Sequence, residues 1–225
     1  EYSQGSGSVV RSRKLAKSQR KGETMKEVLD LNGRVAIVTG GGQGVGRQIA
    51  LHLAAHNAGG VAVNDFYLER AESTVEEIKK AGGKAIAVQG DVSNLDSVKE
   101  FVAKAREAYG QIGVLVNNAG NMGVNPHPDA RKPYYETGPE AWNSAIGVNL
   151  YGVINCTGAV VPDMIARNDG RLITIISDAG RWGDAGLEIY AAAKAGAAGF
   201  MRASARSLGR YQVTANCIAI GITMT

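Results

Sequence analysis

The stretch Arg34-Val35-Ala36-Ile37-Val38-Thr39-Gly40-Gly41-Gly42-Gln43-Gly44-Val45-Gly46-Arg47 decides the architecture of this 225-residue chain. Val35–Thr39 is apolar at consecutive positions, which suits a strand covered on both faces. The turn that follows is dominated by glycine, so backbone amides can approach a ligand closely. The helix expected next adds unpaired N–H groups and a favourable dipole for a pyrophosphate. The spacing G-x-G-x-x-G fails here in every register, whereas G-x-x-x-G-x-G fits through Gly40, Gly44 and Gly46. No Gly-Lys-Ser/Thr follows, so the turn is not a P-loop. A structural turn is also rich in glycine; the position between a strand and a helix favours the phosphate reading.

The same alternation continues outward. Apolar runs at Val61–Asn64, Ala85–Gln89, Val114–Asn117, Leu172–Ile176 and Val213–Ile220 predict five more strands. Helix-length segments lie between them, at about Gly46–Asn57, Leu68–Ala81, Leu95–Tyr109, Pro139–Arg167 and Ile189–Arg210. Strands apolar on both faces, separated by helices, imply an α/β fold with a parallel sheet between two helical layers. Right-handed crossovers then give a doubly wound, Rossmann-type arrangement. Gly82 is placed to end one helix, Pro162 to kink another, and the proline-bearing stretch 121–138 reads as a loop.

Asp65 ends the second strand, 25 residues after Gly40. A carboxylate there can accept from both ribose hydroxyls of NAD and would repel the 2′-phosphate of NADP. Gln43 and Phe66, the positions considered able to offset that repulsion, are not cationic, so NAD is the expected cofactor and NADP the lesser one. Asp65 could instead only cap the coming helix. Asp91 is expected near the adenine edge, and Asn117-Asn118-Ala119-Gly120 offers small residues and amides where the cofactor crosses the sheet.

Tyr190 and Lys194 are four apart and share a helix face, while Ser177 closes the fifth strand at the end where open sheets bind ligands. A phenol ordinarily titrates near 10, and an adjacent ammonium favours the phenolate. Ser, Tyr and Lys together make a device for passing a proton to or from a carbinol oxygen. Alone, a Tyr/Lys pair at this spacing would be an ordinary surface pair.

These motifs together resemble the short-chain dehydrogenase/reductase family. They are Thr39–Gly46 as T-G-x-x-x-G-x-G, Asp91-Val92, Asn117–Gly120 as N-N-A-G, Asn149, Ser177 and Tyr190-x-x-x-Lys194, and the resemblance covers Leu31 to Thr225. It implies Tyr190 as general acid in ketone reduction and base in alcohol oxidation. Lys194 would lower the phenol pKa and hold the nicotinamide ribose; Ser177 would donate to the substrate oxygen. Asn149 would hold a water linking Lys194 to solvent. Gly40, Gln43, Gly44, Val45, Gly46, Asp65, Phe66, Asp91, Val92, Asn118, Ala119, Gly120, Tyr190, Lys194 and Thr225 would bind the cofactor. Two departures stand out: Ile220-Gly221 replaces the family's frequent Pro-Gly, and the family's lid, final helix and seventh strand would follow Thr225. The expectation is therefore one domain over 31–225, C-terminally truncated, with the sixth strand left as an open edge.

Composition narrows the remaining classes. The net charge of +4 is concentrated in residues 1–32, where seven Lys/Arg face four Asp/Glu. Residues 1–30 read as a disordered basic extension, with Met25 as a natural start; a targeting segment or polyanion-binding arm is the lesser alternative. No nucleic-acid partner is expected from a nearly neutral remainder, and no membrane span from runs this short. Cys156 and Cys217 lack metal or redox spacing and read as buried thiols in a reducing, cytoplasmic setting. His52 and His56 share a helix face but lack a third ligand, so no metal is expected; His127 is uninformative. Asp178, Arg181 and Trp182 could line the pocket mouth. The expected activity is NAD-dependent interconversion of a secondary alcohol and a ketone by a homodimer or homotetramer. A 3-oxoacyl-thioester reductase or hydroxyacyl-CoA dehydrogenase is the alternative among enzymes; a silent dinucleotide-binding subunit or sensor is the alternative outside them.

Overall fold

The computed structural model describes residues 29–120, 128–129 and 132–221. The expected basic extension, Met25, His127 and Thr225 lie outside the described residues, apart from Leu29 and Asp30 at the end of the extension. Six strands form one parallel sheet: β1 (Val35–Thr39), β2 (Gly60–Asp65), β3 (Ala85–Gln89), β4 (Ile112–Asn117), β5 (Gly170–Ser177) and β6 (Val213–Ile220). Their spatial order is β3-β2-β1-β4-β5-β6, so the winding reverses between β1 and β4. Val38 pairs with Val63 on one side and Val116 on the other, which brings the C-terminal ends of these strands level. That reversal opens the crevice where doubly wound sheets bind their ligands.

Strand alternation builds two cores. Val35 and Ile37 point to one face, with Phe101 and Val102 of α3 (Leu95–Tyr109), Val160 and Met164 of α5 (Gly152–Arg167) and Met201 of α7 (Glu188–Leu208). Ala36 and Val38 point to the other, against Ala50 of α1 (Gly44–Ala55) and Val75 and Ile78 of α2 (Leu68–Lys80). Burying each such side chain is worth roughly 1.5–3 kcal/mol, so the two-faced pattern of β1 specifies both helical layers at once.

The structure corrects several boundaries. The helix expected over Pro139–Arg167 is divided: α4 (Pro139–Ile146), a π-helical turn at Gly147–Tyr151, then α5. Alpha-helical conformation continues through Pro162. By length and mean hydropathy of 1.4 that whole segment could cross a membrane, yet Val153, Cys156, Val160 and Met164 on it are buried in the core. A short helix, α6 (Ala179–Trp182), occupies what reads as a loop in the sequence. Helix α1 begins at Gly44, two residues earlier than the apolar pattern shows, because glycines hide the helical stripe. Cys156 is buried, but Cys217 is only partly so, since β6 lies at the sheet's edge, where Ile218 is 51% exposed.

Candidate active site

The cleft at the C-terminal ends of β1, β2, β4 and β5 has a volume of about 470 Å³. Its first wall is the glycine turn. Gly40 and Gly44 adopt φ values of +60° and +52°, which glycine reaches without the Cβ penalty. A Cβ on Gly46 would overlap the Gly40 carbonyl oxygen, and one on Gly40 would lie 2.9 Å from the Cα of Ala119. Two strand ends are thus pressed together with no room for side chains. Thr39 fastens them: its Oγ1 accepts from the N–H groups of Asn118 (3.0 Å) and Ala119 (3.1 Å). Asn118 Nδ2 donates to the carbonyls of Thr39 and Gly40, each at 3.0 Å. The first, unpaired N–H groups of α1 belong to this turn, as anion binding requires.

Asp65 closes the β2 end of the cleft. Its Oδ2 accepts from Gly42 N at 3.1 Å and its Oδ1 from Tyr67 N at 3.1 Å. Tyr67, not Asp65, is the N-cap position of α2, so the capping reading is corrected: the carboxylate braces the glycine turn. Each oxygen keeps a further lone pair for a ribose hydroxyl. Thr74, fully buried, ties α2 to the same turn by donating to Gly41 O at 3.1 Å.

At the far end, α7 carries Tyr190 and Lys194 into the cleft. The Lys194 ammonium is 5.8 Å from the centre of the Tyr190 ring and donates to Ile175 O at 3.0 Å. Lys194 is only 4% exposed, and burial pulls its amine down to about 8. It therefore remains mostly cationic at pH 7 but within reach of neutralisation. The π turn places Asn149 on the same spot: a Cβ on Gly120 would lie 2.7 Å from Lys194 Nζ and 2.8 Å from Asn149 Oδ1. Asn149 Nδ2 donates to Ala145 O at 2.8 Å, which fixes the carboxamide. π-bulges recur where a helix must re-aim one side chain. Ser177 ends β5 with its Oγ accepting from Ala179 N at 3.2 Å. Neither Ser177 nor Asn149 is part of the cleft's lining, which does include Ile176 and Gly120.

Every described residue of the expected cofactor set lines the cleft: Gly40 through Gly46 by way of Gln43, Gly44 and Val45, then Asp65, Phe66, Asp91, Val92, Asn118, Ala119, Gly120, Tyr190 and Lys194. Asp91 holds its loop through Ser93, whose N–H and hydroxyl both donate to Oδ1 at 2.8 and 2.7 Å. The sequence reading missed Tyr67 and Arg70, which also line it. A cation was expected only within the turn or directly after Asp65. The helical register of α2 was the available signal, since it returns Arg70 towards β2. Arg181 does not line this cleft; it pairs with Asp178 at 3.4 Å and stacks on Trp182 at 4.7 Å. His52 and His56 stack on exposed α1 with ring centres 6.3 Å apart, and no metal-ligand cluster occurs among the described residues.

The cleft volume, the Cβ-free turn and the carboxylate at one end fit a dinucleotide. Comparison with known proteins agrees. Residues 34–225 match the family model described as short chain dehydrogenase. The chain is 37% identical over 198 residues to the (2S)-[(R)-hydroxy(phenyl)methyl]succinyl-CoA dehydrogenase subunit BbsD of Thauera aromatica, covering 88% of this chain and 76% of that protein. It is 37% identical over 191 residues to the 3-oxoacyl-[acyl-carrier-protein] reductase FabG of Staphylococcus epidermidis, covering 84% and 75%. Among solved structures, a metagenomic short-chain oxidoreductase in complex with NADP aligns with TM-score 0.76 and 34% identity, covering 85% of this chain and 83% of that one. An NAD+-bound xylitol dehydrogenase aligns with TM-score 0.77 and 28% identity, covering 84% and 70%. A parallel six-stranded sheet wound about a glycine turn, with Tyr190 and Lys194 facing its crevice, thus marks this chain as a member of the short-chain dehydrogenase/reductase family of oxidoreductases.

Proposed function

We propose that the chain interconverts a secondary alcohol and a ketone with NAD, using Tyr190 as general acid and base. The observation that carries this reading is the buried Lys194 ammonium beside the Tyr190 ring in the cleft that Asp65 closes at its other end. The glycine turn and the α1 N-terminus would hold the pyrophosphate, and Asp65 the adenosine ribose. Bound there, a nicotinamide supplies or accepts the hydride. The chain's own groups handle the proton. Tyr190 can protonate a developing alkoxide or take a carbinol proton, with the Lys194 ammonium beside its ring. Ser177, oriented by Ala179 N, offers its hydroxyl proton to the same oxygen. Asn149, fixed by the π turn, sits beside the ammonium where a proton would pass to solvent.

A hydroxyacyl or 3-oxoacyl thioester is the substrate class favoured by the names of the two relatives above, one a CoA-thioester dehydrogenase subunit and the other an acyl-carrier-protein reductase. Family membership also supports a homo-oligomer, with α5 and α7 as the expected contact. Tyr190→Phe tests the proton donor: turnover should fall at least about 1,000-fold, within the range of a lost general acid, while NADH fluorescence titration still shows binding. Retained turnover would refute the assignment. A parallel screen of secondary alcohols and 3-oxoacyl thioesters, read by nicotinamide absorbance, separates the substrate classes.

A further inference from the structure

The loop between β3 and α3 supplies Asp91 and Val92 to the cleft wall, and a side chain outside the cleft fastens it from behind. Asn155, near the start of α5, does not line the cleft. Its Nδ2 donates to Val92 O at 3.0 Å and to Ser93 O at 3.3 Å. Both amide hydrogens are thereby committed to successive carbonyls of one loop. The same loop meets the π turn at both of its ends. A Cβ on Gly147, where the π turn starts, would lie 3.3 Å from Ser93 Cβ. One on Gly152, just past its end, would lie 2.7 Å from Val92 Cγ2. The loop is braced within itself as well, since Asp91 N–H donates to Ser97 Oγ at 3.0 Å while the Asp91 carboxylate holds Ser93. Between Gly147 and Gly152 the π turn presents Val148 to the cleft and sets Asn149 beside Lys194.

We infer that Asn155 is a positioning residue that couples the two halves of the cleft. By fastening the Asp91–Ser93 loop to the helix that continues the π turn, it makes the setting of Val148 and Asn149 depend on what occupies the loop side. The inference rests on the dinucleotide and proton-transfer readings proposed above. Close packing transmits a displacement because the loop and the turn touch where neither glycine leaves slack.

Hydrogen exchange read by mass spectrometry, with ADP as the probe, tests the coupling without turnover. ADP has no nicotinamide, so it would fill only the Asp65–Asp91 side and the glycine turn. Saturating ADP should slow exchange across residues 147–151 of the unaltered chain at least about threefold. Asn155→Leu keeps a similar volume without the donors. In it that slowing should vanish, and ADP should bind about tenfold more weakly, equivalent to about 1.4 kcal/mol. Asn155→Asp should bind ADP more weakly still, because a carboxylate would face two carbonyl oxygens. At saturating dinucleotide kcat should also fall about tenfold in Asn155→Leu, whereas a residue that only supports the loop would change binding and leave kcat alone. In an Asn149→Ala background the same change should cost little further kcat. Circular dichroism establishes that each variant folds, and Asn155→Ala takes the place of Asn155→Leu if the latter does not. Exchange that ADP leaves unchanged in the unaltered chain, or slows equally in Asn155→Leu, would overturn the coupling, as would additive losses of kcat with Asn149→Ala. If neither ADP nor NADH binds the unaltered chain, the reading of the cleft itself falls and the role of Asn155 with it.

Discussion

Replacing Lys194 by Met should destroy turnover and yet make the protein more stable at neutral pH. The amine is held at about 8 instead of its ordinary 10.5 because burial penalises the cation. At 1.36 kcal/mol per decade, that corresponds to about 3 kcal/mol of unfavourable free energy in the folded state. Methionine fills a similar volume without charge, but it forfeits the hydrogen bond to Ile175 O, worth about 1 kcal/mol. The expected net gain at pH 7 is about 2 kcal/mol. The sign with pH follows from linkage: the folded pKa lies below the unfolded one, so the unfolded chain binds more protons between them. The cost is therefore present in full below about 8 and is relieved as pH rises towards 10.5. Urea unfolding of both proteins, followed by circular dichroism, should show the variant ahead at pH 7 and the gap shrinking to about zero near pH 9.5. A variant less stable at pH 7, or a gap that does not move with pH, would refute the claim that the site holds a desolvated cation against its preference.

Other perturbations test neighbouring parts of the argument. Gly120→Ala should cost about 1–3 kcal/mol, because the added methyl meets two buried, anchored polar ends, and should displace Lys194 Nζ and Asn149 Oδ1 and cut kcat about tenfold or more; unchanged kcat would show that the position of these groups does not matter. Asp163→Ala should cost about 2–3 kcal/mol by urea unfolding, since its Oδ2 accepts from both Arg106 Nε (2.8 Å) and Ile112 N (3.0 Å) at the start of β4. Asn94→Ala should cost about 1 kcal/mol, because Asn94 caps α3 by accepting from the N–H groups of Asp96 and Ser97. Asp169 is held below the usual carboxylate range by its hydrogen bond to Arg34, so its contribution is present at neutral pH and lost as pH falls through the folded pKa; Asp169→Asn should flatten the acid limb of the stability curve.

Much of the fold was legible in the chain because buried parallel strands have a distinctive sequence signature. Val35–Thr39 and its five counterparts are apolar on both faces, and helix-length spacers leave few ways to wind them. The glycine-rich wall of the cleft was legible for a related reason. Gly40, Gly44 and Gly46 are required by backbone approach, and Asp65 by its place at a strand end, so local rules suffice there.

Spatial neighbours at large sequence separation were not legible. Arg70 reaches the cleft only through the packing of α2 on the turn, and the place of Asn149 beside Lys194, named through the family resemblance alone, depends on a π turn that no local propensity announces. The low pKa of Lys194 depends on how completely Ile175, Gly120 and their surroundings exclude water, which spacing alone cannot express. Sequence by itself determined the order of elements and the doubly wound class, and it put Tyr190 and Lys194 on one helix face, since these follow from short-range sterics and periodicity. Tertiary structure alone decided which charges are desolvated and that α2 brings Tyr67 and Arg70 to the cleft, because electrostatic strength depends on burial and on distances that only packing sets.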